Sequence, residues 1–130
     1  MLRNRAVTVH LGERAVRSRV CRGCPQGSVL SPTLWNLTVD SLLAELTSIG
    51  IKVICYADDV VLIVRGRFLS TIAEIIQRAL CVVEVWCRKQ GLSVNANKTD
   101  MIIFSRKKSV RPYKKPIFFG QELQVVREVK

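Results

Sequence analysis

The sequence predicts an α+β protein in which helices pack on one face of an antiparallel sheet. Two observations carry this prediction. Stretches of alternating apolar residues, typical of strands, occur in pairs separated by short turns. Two stretches of helical apolar spacing stand between these pairs, and helices alternating with antiparallel hairpins favour a layered α+β structure. At 130 residues, of which 48% are hydrophobic, the chain is long enough for one domain spanning 1–130.

The elements follow in order along the chain. The first hairpin is predicted from Val7 to Val20, with a turn at Gly12-Glu13. A loop rich in turn-forming residues leads into a helix that Gly50 ends. Two short strands, 51–56 and 60–64, then flank a tight turn, and a long helix follows over 69–90, closed by Gly91. A strand over 101–104 and a final hairpin, 117–119 with 123–126, complete the prediction.

The charge distribution favours a polyanionic partner. The net charge is +11. Residues 1–30 carry six arginines against one glutamate, residues 31–64 carry one lysine against four acidic residues, and residues 65–130 carry fourteen basic against five acidic residues. An acidic centre between basic arms suits a metal-dependent enzyme acting on nucleic acid, and a solubilising surface is the alternative.

The cysteines and the apolar segments argue against a secreted, a zinc-binding or a membrane-spanning protein. An odd number of cysteines, five, favours reduced thiols, and no apolar run follows the basic start as in a secretory signal, so we expect an intracellular protein. Cys21 and Cys24 have the spacing of half a zinc site, but no second pair of ligands accompanies them. The apolar stretch from Ile72 to Cys87 is interrupted by charged and polar residues, so we expect no membrane span.

Two segments carry candidate chemistry. The first is the tetrapeptide Tyr56–Asp59, which places two adjacent carboxylates at a turn between apolar strands. Such carboxylates need a cationic partner if they are partly buried, and magnesium prefers hard oxygen ligands. A solvated Asp-Asp turn is the alternative. The second is the long loop 22–32, whose glycines permit close backbone approach to a phosphate, although it also suits a plain connection.

With these segments the chain resembles the reverse transcriptases of non-LTR (LINE-type) retrotransposons. In that family a segment similar to Arg22–Leu34 precedes a Tyr-x-Asp-Asp hairpin, which is Tyr56–Asp59 here. A segment similar to Gly91–Thr99 follows, and then a hairpin with a central Phe-Gly, here Phe119-Gly120. Four segments in the family's order cover nearly the whole chain.

The resemblance implies a fold and an activity. The fold would be an incomplete polymerase palm, and the activity RNA-directed DNA polymerisation with an RNA template, a DNA primer and deoxynucleoside triphosphates. The cofactor would be Mg²⁺ (or Mn²⁺) in a two-metal site. The parent element's protein would be nuclear and cytoplasmic.

The resemblance also implies roles for individual residues. Asp58 and Asp59 would be catalytic metal ligands. Gln26 and Gly27 would lie against the incoming nucleotide and template base, and Tyr56 near the primer end. Lys98 would protonate departing pyrophosphate, with a solvated turn lysine as the alternative. Phe119 and Gly120 would belong to the hairpin that grips the primer.

One part of the family's pattern is missing. The family's palm uses a further aspartate on a strand before the Pro-Gln-Gly segment, and none of the 21 residues before Arg22 is an aspartate. We also expect no counterpart of the fingers and thumb within these 130 residues. We therefore expect a fragment that is inactive and marginally folded in isolation, with an incomplete two-metal site and a palm strand supplied by additional sequence. A basic nucleic-acid-binding remnant without catalysis is the alternative function.

Overall fold

The computed structural model describes residues 5–20, 27–105 and 112–126, and it is an α+β structure with two α-helices and short strand pairs. The chain divides into two compact units, Met1–Ser41 and Leu42–Lys130. No helix in the described residues is long and apolar enough to cross a membrane.

The first unit contains the predicted hairpin. Strands β1 (Arg5–Leu11) and β2 (Arg14–Val20) are antiparallel, with Leu11 opposite Arg14 across the two-residue turn. Gly12 has a φ of +62°, which a glycine adopts without strain. Because side chains alternate across a strand, Val7, Val9 and Val16 share one face and Arg17 and Arg19 the other.

Helix α1 (Ser31–Ser48) ends at the predicted glycine. Gly50 has a φ of +80°; its N–H donates to the Thr47 carbonyl, and the Ile51 N–H donates to the Leu46 carbonyl. This pair of bonds is a Schellman motif, which satisfies carbonyls that have no partner within the helix. Leu46 and Ile51 are both buried, so the end of the helix is tied to the core of the second unit.

Helix α2 (Leu69–Gln90) has the predicted bounds and ends in the same way. Gly91 lies in the left-handed region with a φ of +66°, and the N–H groups of Gly91 and Leu92 donate to the carbonyls of Arg88 and Cys87. The apolar face of α2 supplies much of the core of the second unit. The buried apolar residues of this unit are Leu42, Leu46, Ile51, Ala73, Ala79, Leu80, Val83, Trp86, Cys87, Met101, Phe118 and Leu123.

The remaining strands are short. Strands β3 (Lys52–Tyr56) and β4 (Asp59–Ile63) form the hairpin before α2. A 3-10 turn (Ala96–Lys98) leads to β5 (Asp100–Ile102). Strands β6 (Ile117–Phe118), β7 (Gln121–Glu122) and β8 (Gln124–Val126) follow.

Two predictions about the strands were wrong. The described strands form four two-stranded sheets rather than one antiparallel sheet, and one pair, β5 with β8, is parallel. The last hairpin pairs β6 with β7, whereas 124–126 leaves it to join β5. The reason lies at Leu123, which is buried and donates its N–H to the Pro116 carbonyl; this bond closes the hairpin before β8 begins.

Candidate active site

The Tyr56–Asp59 tetrapeptide forms the turn of the β3–β4 hairpin. Tyr56 and Asp59 are opposite each other, so Ala57 and Asp58 are the two turn residues. Ala57 has a φ of +51° and Asp58 does not have a positive φ, which is the pattern of a type II′ turn. Glycine is the usual first residue of that turn, so an alanine there is strained. Backbone strain of this kind clusters at functional sites.

This turn presents three polar side chains to solvent. Asp58 and Asp59 are exposed, and Tyr56 is 82% exposed. The strands below the turn are apolar, and on one face Ile54 and Val61 stand opposite each other with about half of each side chain exposed. The hairpin is therefore an apolar support with carboxylates at its tip.

The carboxylate pair suits a divalent cation only in part. Magnesium prefers oxygen ligands, and proteins commonly supply one or two carboxylates to its coordination shell. Within the described ranges, no group of three or more histidine, cysteine, aspartate or glutamate side chains could hold a metal ion. Asp58 and Asp59 are thus two adjacent side chains with the oxygen donors that magnesium takes, and in the described ranges no third such side chain is grouped with them.

Lys98 lies on a turn built by Asn95. The Asn95 Oδ1 accepts a hydrogen bond from the Asn97 N–H at 3.1 Å, and the Asn95 carbonyl accepts one from the Lys98 N–H at 3.0 Å. The Thr99 hydroxyl also donates to the Asn95 carbonyl. Asparagine favours such turns because its side chain mimics a backbone carbonyl. The turn leaves the Lys98 side chain exposed.

The Phe119–Gly120 turn caps the β6–β7 hairpin. Both residues have positive φ, +46° and +79°, which is the pattern of a type I′ turn. The Phe118 ring is buried, and it meets the Phe119 ring edge-to-face with centroids 4.8 Å apart. One aromatic ring therefore anchors the hairpin, and the next one, on the turn, is half-buried and packs against it.

The structure places the segments that carry two of the predicted sites next to each other. Residues on either side of Lys98 and residues of β7 line one polar cavity of about 170 Å³; its lining is Ala96, Asn97, Thr99, Asp100, Gln121, Glu122 and Gln124. The Lys98 turn and the Phe119–Gly120 hairpin are therefore neighbours. In the described structure neither Asp58 nor Asp59 makes a hydrogen bond or an ion pair with Lys98.

The nucleotide-binding loop is described only in part. Gln26 lies outside the described residues, as do Cys21 and Cys24. Gly27 is in the first unit, just before α1, and has a φ of +77°. An added Cβ would meet nothing within 4 Å there, so the backbone conformation, and not a lack of space, requires the glycine.

Sequence reasoning missed two side chains of α2 that contact the Phe119–Gly120 hairpin. Gln77 hydrogen-bonds Ile117, and Glu84 hydrogen-bonds Phe119. Both residues are polar positions within the apolar stretch Ile72–Cys87. A polar side chain in such a stretch is the sequence signal that could have indicated their contacts.

Comparison with known proteins identifies the family. The family model described as "Reverse transcriptase (RNA-dependent DNA polymerase)" matches residues 3–123. The chain is 36% identical over 85 residues to a retrovirus-related Pol polyprotein from type-1 retrotransposable element R1 2 of Nasonia vitripennis, covering 65% of this chain and 21% of that protein. It is 30% identical over 126 residues to a putative 115 kDa protein in type-1 retrotransposable element R1DM of Drosophila melanogaster, covering 97% of this chain and 12% of that protein.

A third relative comes from another element. The chain is 30% identical over 88 residues to the RNA-directed DNA polymerase from mobile element jockey of Drosophila funebris, covering 64% of this chain and 10% of that protein. No solved structure matches the chain significantly. The chain spans only a tenth to a fifth of the length of these three relatives. With a family model that matches residues 3–123 and relatives from several such elements, the chain belongs to the reverse transcriptase family of non-LTR retrotransposons.

Proposed function

We propose that this chain is part of the palm of a non-LTR retrotransposon RNA-directed DNA polymerase and carries the carboxylates of its catalytic site. The observation that carries the proposal is the strained two-residue turn at the tip of β3–β4, which presents Asp58 and Asp59 to solvent. A two-residue hairpin turn of this type favours glycine at its first position, so an alanine held there at positive φ is strain of the kind that clusters at functional sites.

Asp58 and Asp59 would hold Mg²⁺ or Mn²⁺ in this role. When bound, a metal pair activates the primer hydroxyl and stabilises the displacement at the α-phosphate of the nucleotide. The apolar strands β3 and β4 hold the turn in position, and the turn sets where the two carboxylates lie. Tyr56 precedes the turn and would lie near the primer end.

Three further segments would contact the substrates. Gln26 and Gly27 would lie against the incoming nucleotide and the template base. Lys98, exposed on the Asn95 turn, would donate a proton to departing pyrophosphate. The hairpin turn Phe119–Gly120 would hold the primer strand. The RNA template, DNA primer and nucleoside triphosphates are thus the partners of the whole polymerase.

By itself the chain would not polymerise. Two adjacent carboxylates form an incomplete site, and in the described ranges no third metal-binding side chain joins them. Removing one essential member of a catalytic group costs several orders of magnitude in rate. Additional sequence would supply the missing ligand on a further palm strand.

The test is magnesium-dependent primer extension on an RNA template, together with binding of the same primer–template measured by fluorescence anisotropy. The 130-residue chain is compared with the Asp58→Asn/Asp59→Asn variant. We expect no extension by either protein, and tighter binding with magnesium by the unchanged chain alone. Extension that the double substitution abolishes would show that the site is complete within this chain. Binding that changes neither with magnesium nor with the two substitutions would contradict a role for the carboxylates.

A basic nucleic-acid-binding remnant is the second candidate function. The observation that favours it is the β1–β2 hairpin, where Arg17 and Arg19 are exposed on the same face. Contacts of arginine with phosphates weaken steeply with salt. Under this alternative, binding survives the Asp58→Asn/Asp59→Asn change, but falls with ionic strength and with Arg17→Ala/Arg19→Ala.

A further inference from the structure

Two polar side chains stand on the face of α2 that meets the β6–β7 hairpin. Gln77 and Glu84 are seven residues apart, which is about two helical turns, so they lie on one face of the helix. Their neighbours on the helix at positions 79, 80 and 83 are buried apolar residues. Polar side chains that border a core are costly unless they are hydrogen-bonded.

Gln77 makes two hydrogen bonds to the backbone of Ile117. Its Nε2 donates to the Ile117 carbonyl at 2.9 Å, and its Oε1 accepts from the Ile117 N–H at 2.7 Å. A side-chain amide has one donor group and one acceptor group, as a peptide unit has. Gln77 therefore pairs with β6 as a residue of a neighbouring strand would.

Glu84 bonds the first residue of the turn that follows this strand, two residues beyond Ile117. Its Oε1 accepts the Phe119 N–H at 2.7 Å, and its Oε2 lies 3.5 Å from Nη2 of Arg88 on the next turn of α2. The Glu84 side chain is only 19% exposed. A partly buried carboxylate that accepts a backbone N–H makes a stronger hydrogen bond than a neutral acceptor does.

These bonds occupy the edge of β6 that faces away from β7. In a strand, successive backbone groups point to opposite edges. Phe118 pairs with Gln121 of β7, and the Pro116 carbonyl accepts the Leu123 N–H, on one edge. Ile117 and Phe119 point to the other edge, where α2 takes the place of a third strand. The turn that follows is thereby fixed on the helix.

We propose that Gln77 and Glu84 are positioning residues that hold the Phe119–Gly120 turn in place for the primer strand. The inference rests on the proposed function, because it needs the turn to contact a primer. A turn that places a nucleic-acid strand works by its position, and a two-stranded hairpin alone is only marginally stable in water. The three hydrogen bonds to α2 supply the rigidity that the short strands lack.

The first test is amide hydrogen exchange, measured by NMR on the 130-residue chain. Gln77→Ala is expected to raise exchange at the Ile117 amide about fivefold or more, and Glu84→Ala at the Phe119 amide about tenfold or more. Glu84→Gln keeps an acceptor, so it should restore most of the protection. Glu74→Ala, on the same helix and exposed, is the matched control and should change neither amide. Unchanged exchange in both alanine variants would overturn the proposal.

The second test asks whether the primer end depends on this arrangement. A DNA primer with 2-aminopurine at its 3′ end, annealed to an RNA template, is titrated with each variant in magnesium. We expect Gln77→Ala and Glu84→Ala to weaken the fluorescence change at the 3′ end about fivefold, with Glu84→Gln and Glu74→Ala close to the unchanged chain. Far-UV circular dichroism confirms that each variant is folded.

The outcomes separate the two proposals. If the unchanged chain binds the primer–template and the folded alanine variants lose amide protection yet bind equally well, the positioning role is refuted while the proposed function stands. If the unchanged chain produces no response at the primer end, the proposed function fails first, and the positioning role fails with it. A weaker response of the alanine variants, restored in Glu84→Gln, supports both.

Discussion

The strain at Ala57 can be tested by replacing this residue with glycine. An L-residue in the left-handed region costs about 1–2 kcal/mol that glycine avoids. Glycine gains freedom in the unfolded chain, which offsets about 0.4–1 kcal/mol of that advantage. Because Ala57 has a φ of +51°, we expect Ala57→Gly to stabilise the β3–β4 hairpin by about 0.5–1 kcal/mol.

The same substitution elsewhere serves as the control. Ala44 is exposed within α1, where an alanine-to-glycine change costs about 1 kcal/mol. The two substitutions should therefore have opposite signs. Ala57→Val should destabilise the hairpin, since a β-branched residue tolerates positive φ worst.

Native-state hydrogen exchange gives the local free energy of opening at each hairpin amide. The amides of β3 and β4 report on Ala57→Gly, and those of α1 report on Ala44→Gly. A hairpin that Ala57→Gly destabilises as much as Ala44→Gly destabilises the helix would refute a strained turn. It would also remove the strain argument for the function of the Asp58–Asp59 site.

The remaining predictions concern the core and the thiols. Leu46→Ala should cost about 2–5 kcal/mol in urea unfolding, because Leu46 is fully buried, whereas Leu37→Ala, at a side chain 69% exposed, should cost less than about 0.5 kcal/mol. Burial, with a smaller contribution from Glu84, raises the pKa of the Cys87 thiol above its ordinary value. The folded state therefore keeps this proton to higher pH than the unfolded state does, and its contribution to stability is lost as pH rises through the raised pKa. Cys87→Ala should flatten this alkaline loss, and iodoacetamide should label exposed Cys81 well before Cys87, as mass spectrometry would show.

The helices were predictable because local chemistry decides where they end. Apolar spacing gave the bounds of α2, and glycines at positions 50 and 91 can adopt positive φ at low cost, which the Schellman motifs require. The β3–β4 hairpin was equally local, since two apolar runs flank a two-residue turn. Nothing beyond neighbouring residues was needed for these elements.

The strand partners were not predictable in the same way. The pairing of β5 with β8 joins residues 24 positions apart, for example Asp100 with Gln124, and apolar alternation does not identify partners at that distance. The contacts of Gln77 and Glu84 likewise depend on where β6 lies against α2. The candidate carboxylates were found by motif, but their strained turn became visible only in the backbone angles.

The most direct test of the central claim is the location of metal binding on the chain. Manganese broadens the NMR signals of nearby amides even when it binds weakly, so a titration of the 130-residue chain reports where the cation sits. We predict that the amides of residues 56–60 broaden first, and that Asp58→Asn/Asp59→Asn abolishes this while Asp100→Asn, at the polar cavity beside Lys98, leaves it unchanged. Broadening that is centred elsewhere, or that survives the double substitution, would contradict the assignment of the β3–β4 turn as the catalytic carboxylate site.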